Sequence, residues 1–178
     1  MDLGVIAMRY ARALLKSATE QKVETEVYKE MQTLAQSYLQ VPQLRFTIDN
    51  PMLTKDKKLT LIDTAVGGNP SELIRRFVSL VFKEGRENIL QLMATSYITL
   101  YRQQNNITRG KLTTAVAVSP ETEGKMKQMV ESKTHGTVEF NVDTDPDIIG
   151  GFILEYDTYR MDASVKTKLN SILSTLRK

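Results

Sequence analysis

From residue 1 to about residue 105, apolar positions recur every three or four residues; beyond that point, stretches that alternate every second residue appear among them. Leu3, Ile6, Tyr10, Ala13, Leu14 and Ala18 share one side of a first helix, with Arg9, Arg12 and Lys16 on another. Ala7, Ala11, Ala13 and Ala18 leave little bulk around Tyr10, so a neighbouring helix can approach closely there, most simply within the chain itself. A second helix is predicted from about Glu24 to Val41 and is ended by Pro42. Leu44, Phe46 and Ile48 fit either a short strand or a short helix, and Asp49-Asn50-Pro51 is a turn. Thr54 is placed to cap a helix with Leu59, Leu61, Ile62, Ala65 and Val66 on its apolar face, stopped by Gly67-Gly68.

The next helix has the strongest start signal: Asn69 as cap, Pro70 at the first helical position and Glu72 closing a capping box. Leu73, Ile74, Phe77, Val78, Leu80, Val81 and Phe82 then make it apolar around most of its circumference. Such a helix has to be covered on more than one side, by its own domain or in part by another protein. Gly85 stops it, and a last helix runs from about Arg86 to Asn105. The connections are short, which places successive helices antiparallel and predicts an all-helical bundle over residues 1–105.

Residues 106–178 read differently. Lys111 to Ser119 is a predicted strand, Pro120 opens a polar helix that ends at Gly136, and Thr137 to Val142 is a second, alternating strand. Ile148, Ile149, Phe152, Ile153 and Leu154 form a third strand, interrupted by Gly150-Gly151, a pair that marks a bulge or the close approach of another backbone. A tight reversal near Tyr156 to Tyr159 and a short return through Arg160 and Met161 lead to a terminal helix. Its apolar positions are Val165, Leu169, Ile172, Leu173 and Leu176, and Asp162 or Ser164 stands where the cap belongs. The predicted order is β-α-β-β-α, and the predicted fold class is α+β: an all-helical bundle over residues 1–105 followed by a small α+β domain over residues 106–178 that would gain from a partner.

Composition narrows the chemistry. There is no cysteine, hence no disulfide framework, thiolate metal site or thiol catalysis. No apolar run approaches the roughly 20 residues that cross a bilayer, and the charged residues threaded through the first twenty argue against a signal peptide or an anchor. The net charge of +3 is spread: 14 Lys and Arg against 11 Asp and Glu up to residue 105, and 10 against 10 after it. His135 is the single histidine and has no evident orienting partner. The glycine pairs at 67–68 and 150–151 match no phosphate-binding fingerprint, and Asp143, Asp145 and Asp147 lack the rest of a calcium loop. Arg75 and Arg76 beside Phe77, and Tyr97 and Tyr101 beside Arg102, leave a nucleic-acid-binding helical adapter as the alternative to a protein adapter. No catalytic, cofactor or metal site is expected.

Several segments, in order and over the whole length, resemble the delta subunit family of bacterial F-type ATP synthase, the counterpart of the mitochondrial oligomycin-sensitivity-conferring protein. They are Arg9-Tyr10-Ala11-Arg12-Ala13-Leu14, Asn50-Pro51, Phe77 through Gly85-Arg86, and Gly150-Gly151-Phe152-Ile153-Leu154 followed by Asp162-Ala163-Ser164-Val165. The resemblance implies that the bundle has six helices and sits on the catalytic head, in a stator subunit without catalysis or cofactor, peripheral on the cytoplasmic face of the bacterial inner membrane and associated with it only through the complex. It implies that the N-terminal helix of an alpha subunit is held by Tyr10, Ala13 and Leu14 of the first helix with Phe77, Val78 and Val81 of the fifth. It also implies that the C-terminal domain meets the b subunits of the peripheral stalk, with Gly150, Gly151, Phe152, Asp162, Ser164 and Val165 as structural or stalk-contact positions. Glu155 to Arg160 depart from the family's glycine and basic residues, and Lys166 and Lys168 stand where arginines are common.

Overall fold

A computed structural model describes residues 2–134, 136–156 and 158–176, and His135 lies outside them. The chain divides into two compact units, Met1–Gln103 and Gln104–Lys178. The fold is α+β, with eight α-helices and one four-stranded mixed sheet among the described residues.

The first unit holds α1 (Leu3–Glu20), α2 (Glu24–Gln40), α3 (Gln43–Asp49), α4 (Lys55–Val66), α5 (Glu72–Lys83) and, after a 3-10 turn at Glu87–Ile89, α6 (Leu90–Gln104). Each helix turns its apolar stripe to one core: Ala7, Ala11 and Ala18 of α1, Val27 and Leu34 of α2, Ile62 of α4, Val81 of α5 and Leu90 of α6 are all without measurable exposure. Leu44, Phe46 and Ile48 are helical, and only Leu44 and Ile48 point inward; Phe46 is 77% exposed. A two-residue alternation of three apolar residues is too short to separate strand from helix, and burial of positions four apart settles it as α3. Tyr97 of α6 is fully buried and its hydroxyl donates to the carbonyl of Glu24, while burial pushes its pKa up, so it remains a neutral donor.

Two expectations are corrected in this unit. The cap of α5 is Ser71 and not Asn69, so Pro70 precedes the helix. The reason is long-range: the carboxylate of Glu30 on α2 accepts from both the backbone N–H and the hydroxyl of Ser71, fixing the helix start from outside. Glu72 pairs with Arg76 one turn on instead of closing a box. On α4, Leu61 faces water and Lys58 is buried, its ammonium 3.2 Å from Glu87.

The second unit holds β1 (Ile107–Thr114), α7 (Pro120–Thr134), β2 (Thr137–Thr144), a 3-10 turn at Pro146–Ile148, β3 (Phe152–Tyr156), β4 (Tyr159–Asp162) and α8 (Val165–Leu176). The sheet order is β2-β1-β3-β4, with β1 and β2 parallel across the α7 crossover and the remaining pairs antiparallel. Leu112, Val130, Val138 and Leu154 form the core between sheet and α7. The return through Arg160 and Met161 is thus itself a strand, paired with β3, and the order gains one strand over that predicted. β1 also lies earlier than predicted. It begins at Ile107 and ends at Thr114, whose carbonyl accepts from Asp145 as the chain turns away past the end of β2. Gly110 sits inside it because the ring of Phe140 occupies the place of a side chain: a Cβ there would lie 2.4 Å from Cε1.

Candidate partner-binding surfaces

α1 and α5 meet through aromatic side chains. Tyr10 and Phe77 meet edge to face, their ring centroids 6.3 Å apart. Along this seam the sequence-derived positions fall into two layers. Leu14, Val78 and Val81 are buried in the unit's core, at 3%, 1% and 0% exposure, and Phe77 is at 8%. Tyr10 is half-buried and Ala13 exposed. Apolar residues of these two helices that reach solvent include Tyr10 and Ala13, and with them Leu3 at 50% and Leu80 at 47%, two positions not singled out as partner contacts in the sequence. Leu14, Val78 and Val81 belong to the unit's interior and are not open to a partner.

The end of α5 adds a residue that periodicity does not reveal. The amide of Arg86 bonds to the carbonyl of Val81 and that of Gly85 to Phe82, a Schellman closure with Gly85 at φ 62°. This reversal sends Arg86 back across α1. Its guanidinium lies 5.4 Å from the centroid of the Tyr10 ring, and Nη1 donates to the Tyr10 hydroxyl at 3.3 Å. The sequence marker was Gly85 alone, which announces a helix stop but not the direction the next side chain takes.

In the second unit the glycine pair is explained by a close backbone. The amide of Ala163 donates to the carbonyl of Phe152, and that of Val165 to the carbonyl of Gly150. Gly151 has φ 74°, and a Cβ on it would lie 2.3 Å from the carbonyl oxygen of Ala163. Asp162 and Ser164 both work at the helix start. Ser164 is 1% exposed and accepts from the amide of Thr167, and Asp162 accepts from the amide of Ser164 and the hydroxyl of Thr167. These hydrogen bonds, from Ser164 above all, hold the Asp162 carboxyl below its ordinary pKa. Because the folded value is depressed, the stabilisation is present at neutral pH and fades as pH falls through that lowered value.

α8 itself exposes its apolar side. Leu169, Ile172, Leu173 and Leu176 are 46%, 55%, 53% and 78% exposed, and no residue of the helix is buried. Phe152 is half-buried at the other end of the same segment, lining with Val116, Val118 and Ile149 an open apolar pocket of about 380 Å³. Ile149 is a β-branched residue at φ 69° and is 62% exposed, a strained conformation that turns an apolar side chain to water.

The aromatic residues that suggested base stacking do not offer their faces. Phe77, Tyr97 and Tyr101 are 8%, 0% and 7% exposed, and Tyr101 stacks on Tyr28 at 4.1 Å. Asp143 is taken up by Lys111 at 3.0 Å, and Asp145 accepts from the amide of Asp147. The two surfaces are apolar and shaped by backbone, suited to holding protein and not to transforming a substrate.

Residues 6–176 match the family model described as ATP synthase delta (OSCP) subunit. The chain is 49% identical over 173 residues to ATP synthase subunit delta of Phocaeicola vulgatus, covering 97% of this chain and 94% of that one. It is 41% identical over 174 residues to the protein of the same name from Bacteroides fragilis, with the same coverage, and 39% identical over 176 residues to that of Parabacteroides distasonis, covering 99% and 98%. In fold it is similar to a chain of the Toxoplasma gondii mitochondrial ATP synthase hexamer, with a TM-score of 0.64 over 97% of both chains at 19% identity. With the match running through both units, from α1 to the end of α8, the chain belongs to the ATP synthase delta (OSCP) subunit family.

Proposed function

We propose that the chain holds two different proteins at once: the N-terminal helix of an alpha subunit on the α1–α5 seam, and the b subunits of the peripheral stalk on the C-terminal unit. As a member of its family it is a non-catalytic stator subunit of F-type ATP synthase. In this reading the six helices of the first unit act as a bundle seated on the catalytic head, and the β-α-β-β-β-α unit faces the stalk. The work is mechanical. Torque from the rotor has to be resisted at both ends of one polypeptide, and two modest interfaces joined covalently hold far better than either alone. Apolar seams suit that load because exposed ion pairs contribute little and are screened by salt.

The observation that carries this reading is the uncovered apolar surface on each unit, Tyr10, Ala13 and Leu80 on one and the whole stripe of α8 on the other. Buried aromatic faces leave the nucleic-acid alternative without its stacking platform. The proposed location is the cytoplasmic face of the bacterial inner membrane, through the complex; no helix among the described residues is long and apolar enough to cross a membrane.

Calorimetric titration of the full chain with a peptide of the alpha subunit's N-terminal helix tests the seam. Leu80→Asp changes a half-exposed position, so the fold is expected to survive while affinity falls by about 100-fold, roughly 2.7 kcal/mol. Tyr10→Asp is expected to act likewise, and unchanged affinity in both would remove the assignment. Phe77→Asp is a poor probe, because a carboxylate at 8% exposure disrupts the core itself.

For the stalk side, Ile172→Asp with Leu173→Asp alters residues more than half exposed. Unfolding midpoints are expected to move little, within about 0.5 kcal/mol per substitution. Sedimentation with the soluble part of the b subunits is expected to show the complex lost, and a complex as tight as wild type would overturn the role of α8.

A further inference from the structure

Arg86 has no carboxylate partner among the described residues, although its guanidinium lies on the Tyr10 ring beside the seam. Glu87, its neighbour in sequence, is turned to Lys58. The α1 and α5 segments are basic as a whole, with Arg9, Arg12 and Lys16 on another side of α1 from Tyr10. Residues 2–20 and 72–86 carry seven Lys and Arg against four Asp and Glu, and of the seven only Arg76 is in an ion pair among the described residues.

A helix laid over Tyr10, Ala13 and Leu80 would strip water from Arg86 as well. An arginine covered without an anion is costly, whereas one held beside an aromatic ring still has donors with which to take a carboxylate. Among the described residues one of those donors is engaged, by the Tyr10 hydroxyl. Resting on the reading of the seam as a helix site, we infer that the helix seated there is acidic on one flank and that Arg86 takes one of its carboxylates. The apolar contact supplies hold, and Arg86 fixes which way round and in which register the helix lies.

The test uses the full chain and two synthetic peptides, the N-terminal helix of the cognate alpha subunit and the same peptide with Asp and Glu replaced by Asn and Gln. At low salt the wild-type chain is expected to bind the acidic peptide about ten-fold more tightly than the neutral one, with the difference shrinking as salt rises. Arg86→Gln is expected to bind both alike, and Arg86→Lys, which keeps the charge but loses the forked donors, to keep part of the preference. If Arg86→Gln weakens both peptides equally and the preference survives, Arg86 only props Tyr10 and the inference is overturned. The same holds if wild type does not distinguish the peptides. Should wild type bind neither peptide, the reading of the seam itself fails, an outcome distinct from the other two.

Discussion

Gly151→Val is expected to unfold the start of α8 and most of the second unit with it. Gly151 combines a left-handed φ of 74° with a backbone neighbour, the Ala163 carbonyl, that would stand 2.3 Å from any Cβ. A β-branched residue is the worst fit to that conformation, and the contact cannot be relieved by rotating a flexible side chain. Relief has to come from pulling apart the bonds from Ala163 to Phe152 and from Val165 to Gly150 that tie the link between β4 and α8, and the first residue of α8, to the start of β3. The cost is about 3 kcal/mol or more, a large part of what a unit of this size has in hand. Gly150→Ala is the contrast. Gly150 has no left-handed φ, and its Cβ would meet only the Val165 methyl at 3.1 Å, so a loss of about 1 kcal/mol is expected. Hydrogen exchange over residues 150–176 checks both. Protection in Gly151→Val equal to wild type would show that the segment tolerates the side chain and that the glycine is not there for the close backbone.

The second large effect is expected at Lys58. Its side chain is 5% exposed, its ammonium meets Glu87 Oε1 at 3.2 Å, and Glu87 Oε2 is buried without another partner among the described residues. Lys58→Ala leaves a carboxylate stranded against α4 and is expected to cost about 3–5 kcal/mol, read as loss of amide protection in α4 and the following helices. Replacing both partners with apolar residues, Lys58→Met with Glu87→Leu, removes the stranded charge and is expected to recover most of that loss. A single variant as stable as wild type would mean that water reaches Glu87 freely.

Both residues illustrate what was legible in the sequence. Glycine pairs announce unusual backbone, so the close approach at 150–151 was readable, though not that Gly151 alone carries the left-handed turn. Lys58 was invisible, because a lysine in a lysine-rich helix start reads as solvated until α4 is placed against Glu87. The helices were readable from their 3.6 period, and the misread start of α5 came from Glu30, some forty residues away, overriding the local preference for Asn69. β4 gave no alternation of burial to find, since all four of its residues are exposed and only pairing with β3 defines it. On the α1–α5 seam, the crowding of alanines pointed to close approach at Tyr10, and the resemblance pointed to Phe77. Leu80 looked like one more apolar residue of an all-round apolar helix, and Arg86 reached Tyr10 only through the Schellman turn. The stripe on α8 was legible as amphipathic, but periodicity does not say whether a face is covered by its own chain or by another.

The central claim is that one chain keeps the catalytic head from turning with the rotor. It is tested most directly in proteoliposomes rebuilt from the synthase with and without this chain, measuring ATP hydrolysis and ATP-driven proton uptake together. The account predicts that omission leaves hydrolysis running while proton uptake collapses, and that the wild-type chain restores uptake whereas the Tyr10→Asp, Leu80→Asp double variant does not. Full proton uptake in the absence of the chain would contradict it.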